Sequence, residues 1–139
     1  MKIITKSEKE TFALAKKLAK TLKGGEVIGL IGELGAGKTI FTKGLAAGLG
    51  IKNTVNSPTF VIMKVYETKG KIERLVHIDA YRLQSATDLE AIGALDSLKS
   101  KNTITVIEWP KKIESLLPKD SILIDIKNLS ENERMITKH

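Results

Sequence analysis

Apolar and polar positions recur along this chain with two periods, and each change of period marks a change of element. Ala15, Leu18, Ala19 and Leu22 return at intervals of three and four, which is the spacing of one helix face. Ser7-Glu8-Lys9-Glu10 ahead of them has the form of a capping box, and Gly24-Gly25 is the expected stop. Glu26-Val27-Ile28-Gly29-Leu30-Ile31 is a short apolar run that predicts a buried strand. Phe41, Leu45 and Leu49 then restore helical spacing until Gly50 ends it. Two β-rich runs follow, Phe60 to Glu67 and Ile72 to Asp79. The short link Lys69-Gly70-Lys71 between them predicts a hairpin, hence a partly antiparallel sheet. From Thr87 to Ser100 a helix is expected, with Leu89, Ile92, Leu95 and Leu98 three apart and Gly93 as an interruption. Thr103 to Glu108 is a β-branched strand ended by Trp109-Pro110. A short helix around Ile113 to Leu117 stops at Pro118, and strands at Ser121 to Ile126 and Arg134 to Thr137 close the series. The pattern predicts one α/β domain over residues 1–139, a P-loop NTPase-like fold with a mixed parallel and antiparallel sheet flanked by helices.

The junction between the buried strand and the second helix carries the chemistry. Gly32-Glu33-Leu34-Gly35-Ala36-Gly37-Lys38-Thr39 fits G-x-x-x-x-G-K-[ST] at every fixed position. Glycines there let successive backbone N–H groups point inward, and the helix N-terminus adds partial positive charge, which together suit phosphate. Lys38 is expected to reach the β- and γ-phosphates, and the Thr39 hydroxyl to ligate Mg²⁺. A structural turn alone has no use for lysine followed by threonine. No N-K-x-D sequence is present to read guanine, which tilts the expected nucleotide towards ATP.

Hydrolysis needs a carboxylate opposite Thr39 and a group to orient the nucleophile. Asp79 and Glu108 each close an apolar strand, at the end that faces the ligand crevice in such sheets. The residues alone leave open which acid holds the metal and which the water. Ser57-Pro58-Thr59 is either a proline-fixed turn or a loop whose threonine senses the γ-phosphate. His77 alternates with Asp79 and should share its side of the strand; a packed histidine is the plainer reading. Trp109 is either a core wedge or a contact surface, and Arg82 is either a phosphate-reaching cation or a structural partner of an acid.

Composition narrows the classes. The chain has 139 residues, no cysteine and a net charge of +7. Disulfides and thiolate metal sites are excluded. No window has the length and apolarity of a membrane span, and no secretory leader is apparent, so a cytoplasmic protein without membrane contact is expected. The lysines are scattered and aromatics make up 4%, so the charge reads mainly as a solvated surface.

Four motifs stand in order: the loop from Gly32 to Thr39, Ser57-Pro58-Thr59-Phe60, His77-Ile78-Asp79-Ala80-Tyr81-Arg82-Leu83, and Glu108-Trp109-Pro110. In this series the chain resembles the TsaE family of small bacterial P-loop ATPases over essentially its whole length. The resemblance implies a subunit that binds and hydrolyses ATP with Mg²⁺ and is needed for threonylcarbamoyladenosine modification at adenosine 37 of tRNA. It implies TsaB and TsaD as protein partners, and contact with tRNA only through their complex. By the same analogy Thr39 and Glu108 ligate Mg²⁺ and Asp79 supports the metal or the water. Thr59 is the switch-like threonine, Trp109 lies near the nucleotide or the partner surface, and Thr11 and Arg134 help to hold the nucleotide. The chain departs from the family at Ile40, where many relatives have a second threonine, and at Lys111, where an acid is common. Ile40 is expected on the packing side of its helix. Two other readings use the same loop. A small-molecule kinase would want an arginine-rich lid, and the chain has only Arg74, Arg82 and Arg134. A nucleotide-gated interaction module would bind without appreciable turnover.

Overall fold

The apolar runs pair side by side in one seven-stranded sheet. The computed structural model of the chain describes residues 1–33, 35–52, 63–68, 70–80, 86–91, 93–108, 114–115 and 117–139. In chain order the elements are β1 (Lys2–Thr5), α1 (Glu8–Ala19), β2 (Val27–Ile31), α2 (Lys38–Gly48), β3 (Met63–Glu67) and β4 (Arg74–Asp79). They continue with α3 (Ala86–Ala91), α4 (Ala94–Lys99), β5 (Thr103–Glu108), β6 (Ile122–Asn128) and β7 (Arg134–Lys138). The strand order is β1-β7-β6-β2-β5-β4-β3. β6, β2, β5 and β4 run parallel, and antiparallel strands flank them, β3 on β4 at one side and β7 then β1 on β6 at the other. The expected mixed sheet, including the β3–β4 hairpin, is the one found.

Alternate residues of the strands serve two cores, which is why the central strands read as continuous apolar runs. Ile28, Leu30, Leu75, Ile104, Val106 and Ile124 face Ala15 and Ala19 of α1 and Phe41 and Leu45 of α2. Val27, Val76, Ile78 and Ile107 face the other way, against Leu98 of α4. The first core is tight where the two helices meet. A Cβ added at Gly44 would stand 2.7 Å from Ala15 Cβ and closer still to the Phe12 carbonyl, and one at Gly48 would stand 2.6 Å from the Lys16 carbonyl. These glycines let the α1 and α2 backbones approach directly.

Several boundaries differ from the sequence pattern for local reasons. Ser7 caps α1 by accepting from the Glu10 N–H at 3.1 Å, but the Glu10 carboxylate takes the N–H of Lys6 rather than that of Ser7. The helix ends at Ala19, five residues before Gly24, because the Thr21 N–H and hydroxyl both turn back to the Leu18 carbonyl at 2.9 and 2.7 Å. Leu22, expected on the helix, lies beyond it and still packs on the core. At the end of α2, the Gly50 and Ile51 N–H groups donate to Ala47 and Ala46 at 3.1 and 2.9 Å. With Gly50 left-handed at φ 86°, this is a Schellman cap. The helix expected from Thr87 to Ser100 is two, since Gly93 adopts φ 76° and begins α4. Of the helix expected around Ile113 to Leu117, residues 113 and 116 lie outside the described residues, and residues 114–115 form a 3₁₀ turn. β1 has no counterpart among the expected elements; its four residues pair with β7.

Gly44→Ala should destabilise the protein by about 1–3 kcal/mol, because the methyl group overpacks the α1–α2 contact. On an open helix surface the same change would stabilise by about 1 kcal/mol. Urea unfolding of the two proteins decides the sign.

Candidate functional site

The site begins where β2 ends, in the middle of the parallel strands. Gly32 passes so close to β6 that a Cβ there would lie 2.7 Å from the Ile126 carbonyl. Gly35 and Gly37 have φ of 80° and 105°, and the loop between Glu33 and Ala36 is closed by a 3.0 Å backbone bond. Gly37 is the N-cap of α2 and contributes no side-chain cap. The first N–H groups of a helix have no partner within the helix, and a loop of this shape offers them to an anion.

Lys38 reaches back across the loop, and its Nζ donates to the Gly32 carbonyl at 2.6 Å. It is 6% exposed. Burial holds its ammonium below the usual lysine range, while the negative charges of Glu108 and Asp79 pull it upwards. Thr39, next on α2, is half-buried. Asp79 and Glu108 are register partners at the C-terminal ends of β4 and β5. Glu108 also lies opposite Leu30 of β2, so it stands one strand from the loop and Asp79 two. Glu108 is 4% exposed and Asp79 half-buried. His77, two residues before Asp79, is fully buried, with Nε2 3.6 Å from Glu108 Oε1.

Arg134 enters from β7. Its Nε donates to the Ala36 carbonyl at 2.9 Å and its Nη1 to the Asn132 carbonyl at 3.4 Å. A Cβ at Gly37 would stand 2.7 Å from that Nε, so a side chain there would displace the arginine in addition to straining a backbone held at φ 105°. Asn128 of β6 donates to the Gly35 carbonyl at 3.5 Å; nothing in its sequence surroundings singled it out. Thr11 is fully buried in α1, sharing a 2.7 Å hydrogen bond with Thr5 Oγ1 and donating to the Ser7 carbonyl at 3.2 Å. Thr5 in turn is the register partner of Arg134. Thr11 and Thr5 thus tie the start of α1 to the strand that supplies the brace.

Among the described residues no three His, Cys, Asp or Glu side chains are grouped to hold a metal ion. One hydroxyl and one or two carboxylates beside a phosphate loop is instead the donor set that suits Mg²⁺, which keeps waters and shares phosphate oxygens. Thr39 and Glu108 fit that requirement. Ile40 is half-buried and outside both cores; the buried residues of α2 include Phe41, Thr42, Leu45 and Ala46. It therefore does not take the packing position expected of it. Leu34, Ser57-Pro58-Thr59, Arg82, Trp109 and Lys111 lie outside the described residues.

A family model described as threonylcarbamoyl adenosine biosynthesis protein TsaE matches residues 5–136. The chain belongs to the TsaE family. It is 44% identical over 133 residues to a protein of Bacillus subtilis (strain 168), spanning 96% of this chain and 81% of that one. It is 38% identical over 137 residues to one of Treponema pallidum (strain Nichols), spanning 99% and 98%. Both relatives bear the name tRNA threonylcarbamoyladenosine biosynthesis protein TsaE. The crystal structure of YdiB from Bacillus subtilis superposes with a TM-score of 0.78 at 38% identity, covering 99% of this chain and 83% of the other. The α/β architecture above is accordingly shared with a solved neighbour of the TsaE chain.

The buried lysine makes stability depend on alkaline pH. Its folded pKa lies below 10.5, the value of the free side chain, so between the two the unfolded chain binds more protons than the folded one. Stability gained from this group therefore rises with pH through that window, and its burial penalty is complete below it. Lys38→Met lacks the term. In urea unfolding, wild-type stability should climb relative to Lys38→Met as the pH is raised from neutral towards 10.5; a difference independent of pH would contradict the assignment.

Proposed function

We propose that the chain binds and hydrolyses ATP with Mg²⁺, and that it does so as a subunit acting with TsaB and TsaD in threonylcarbamoyladenosine modification of tRNA at adenosine 37. The observation that carries the nucleotide reading is the conjunction at the N-terminus of α2. A left-handed glycine opens the helix, a buried lysine spans the loop, and two carboxylates stand in register on the next two parallel strands. The names of the family and its relatives support the tRNA-modification role.

In this reading the loop N–H groups around Gly35 to Thr39 bind the phosphates. Lys38 exchanges the Gly32 carbonyl for phosphate oxygens, so a bond made within the protein is replaced by a charge-assisted one. Thr39 and Glu108 hold Mg²⁺, which when bound neutralises charge on the β- and γ-phosphates. Glu108 suits that part by being the acid nearer the loop. Asp79, one strand further out and more exposed, orients water or supports the metal. Arg134 holds the Ala36 carbonyl and so fixes the backbone of the loop whose N–H groups serve the phosphates. Thr59 and Trp109 complete the site by analogy with the family. A cytoplasmic location accompanies this role; among the described residues no helix is long and apolar enough to cross a membrane.

ATP hydrolysis measured alone and with TsaB and TsaD should show stimulation by the partners that disappears in Lys38→Ala. Unchanged turnover on adding the partners would remove the subunit reading, and unchanged ATP binding and hydrolysis in Lys38→Ala would remove the phosphate site. The two acids should separate in nucleotide titrations. Glu108→Ala should weaken Mg²⁺-dependent binding by roughly tenfold or more, whereas Asp79→Ala should spare binding and lose hydrolysis. The reverse pattern would exchange their roles.

A further inference from the structure

His77 has no part in the scheme above, yet it occupies a costly position. It lies on the α1–α2 face of β4, in register with Val106 of β5 and two residues from Leu75, both of which are core residues. An aliphatic side chain there would carry no polar atom to leave unsatisfied. The imidazole is fully buried, and among the described residues neither Nδ1 nor Nε2 has a hydrogen-bond partner, a condition that costs free energy unless something offsets it. The carboxylate that Nε2 approaches is that of Glu108, with Oε1 at 3.6 Å. A hydrogen bond from a ring N–H to a carboxylate closes at about 2.7–3.2 Å, so a shift of roughly half an ångström completes it. β4 and β5 are already joined along six register pairs, so the side-chain pair is not needed to hold the strands together.

We propose that His77 is a positioning residue for Glu108: Nε2–H holds Oε1, and the carboxylate offers its other oxygen as the metal ligand. This rests on the reading of Glu108 as a ligand of nucleotide-bound Mg²⁺. A second group that fixes a ligating carboxylate raises metal affinity by removing the alternatives the free carboxylate would sample, and loss of such a group typically costs about 10–100-fold. The role does not depend on the charge of the ring, since the neutral Nε2–H tautomer and the imidazolium both donate.

The test is binding of a non-hydrolysable ATP analogue with Mg²⁺ and in EDTA, for wild type, His77→Phe, His77→Gln and Glu108→Gln, with unfolding curves for each. The quantity read is the ratio of the two affinities, which a merely structural role does not change. His77→Phe should keep its affinity in EDTA and lose about 10–100-fold of the Mg²⁺ enhancement. His77→Gln, which keeps an N–H donor near the Nε2 position, should recover most of it. Where His77→Phe fails to fold, His77→Asn, whose amide stops short of Glu108, replaces it. A full Mg²⁺ enhancement in the folded His77→Phe or His77→Asn protein overturns the proposal, as does an equal loss of affinity with and without Mg²⁺. An enhancement that survives in Glu108→Gln overturns the assignment of Glu108 itself and the proposal with it, a failure distinguishable because it appears in that variant.

Discussion

A buried ammonium needs nearby negative charge, and the site is arranged around the one that Lys38 carries. Burial lowers its affinity for a proton, Glu108 and Asp79 raise it, and the Gly32 carbonyl receives one of its hydrogens at 2.6 Å. Each partner is placed by the sheet. β2 delivers the carbonyl, β5 and β4 deliver the carboxylates, and parallel pairing brings all three strand ends to one edge. Parallel strands need both faces covered, which is why two helical layers and two cores exist in so short a chain. The ligand crevice at the carboxyl ends of such strands follows from the same geometry.

The glycines of the loop region answer to three different neighbours. Gly32 yields to the backbone of β6, Gly37 to the guanidinium of Arg134, and Gly44 to the backbone of α1. Positive φ explains Gly37, but not Gly32 or Gly44, where the reason is lack of room for a Cβ. The loop is thus held from the sheet, from the terminal strand and from the helix that continues it. A loop whose donors are backbone N–H groups depends on such support, because those donors cannot be adjusted by changing rotamers.

Much of this was legible in the sequence because the signals were local. The loop motif, the apolar strand before it and the helical spacing after it fall within 24 residues, from Glu26 to Leu49. Asp79 and Glu108 were legible as acids closing apolar strands, although only the register shows that they are neighbours. The division of the helix at Gly93 was half visible, as an interruption without a direction. What stayed hidden was long-range. Thr5 depends on β1 pairing with β7, and Asn128 and the bracing geometry of Arg134 depend on β6 and β7 lying beside β2, and no local pattern encodes those contacts. β1 itself is only four residues long and lies beside a strong helix cap, so its two isoleucines carried too little periodicity to register.

The bond from Arg134 to Ala36 spans 98 residues, and this separation orders events during synthesis. The loop is translated early, between the first two apolar elements, whereas its brace belongs to the last strand of the sheet. Closing so long a loop costs more chain entropy than closing a short one, and this contact has no partner until the last strand has been made. A nascent chain therefore displays the complete glycine and lysine motif long before it possesses the strand that braces it. Completion of the brace is in effect a report that β7 has taken its place beside β6, one strand in from the edge, so the loop is fixed only together with the native strand order.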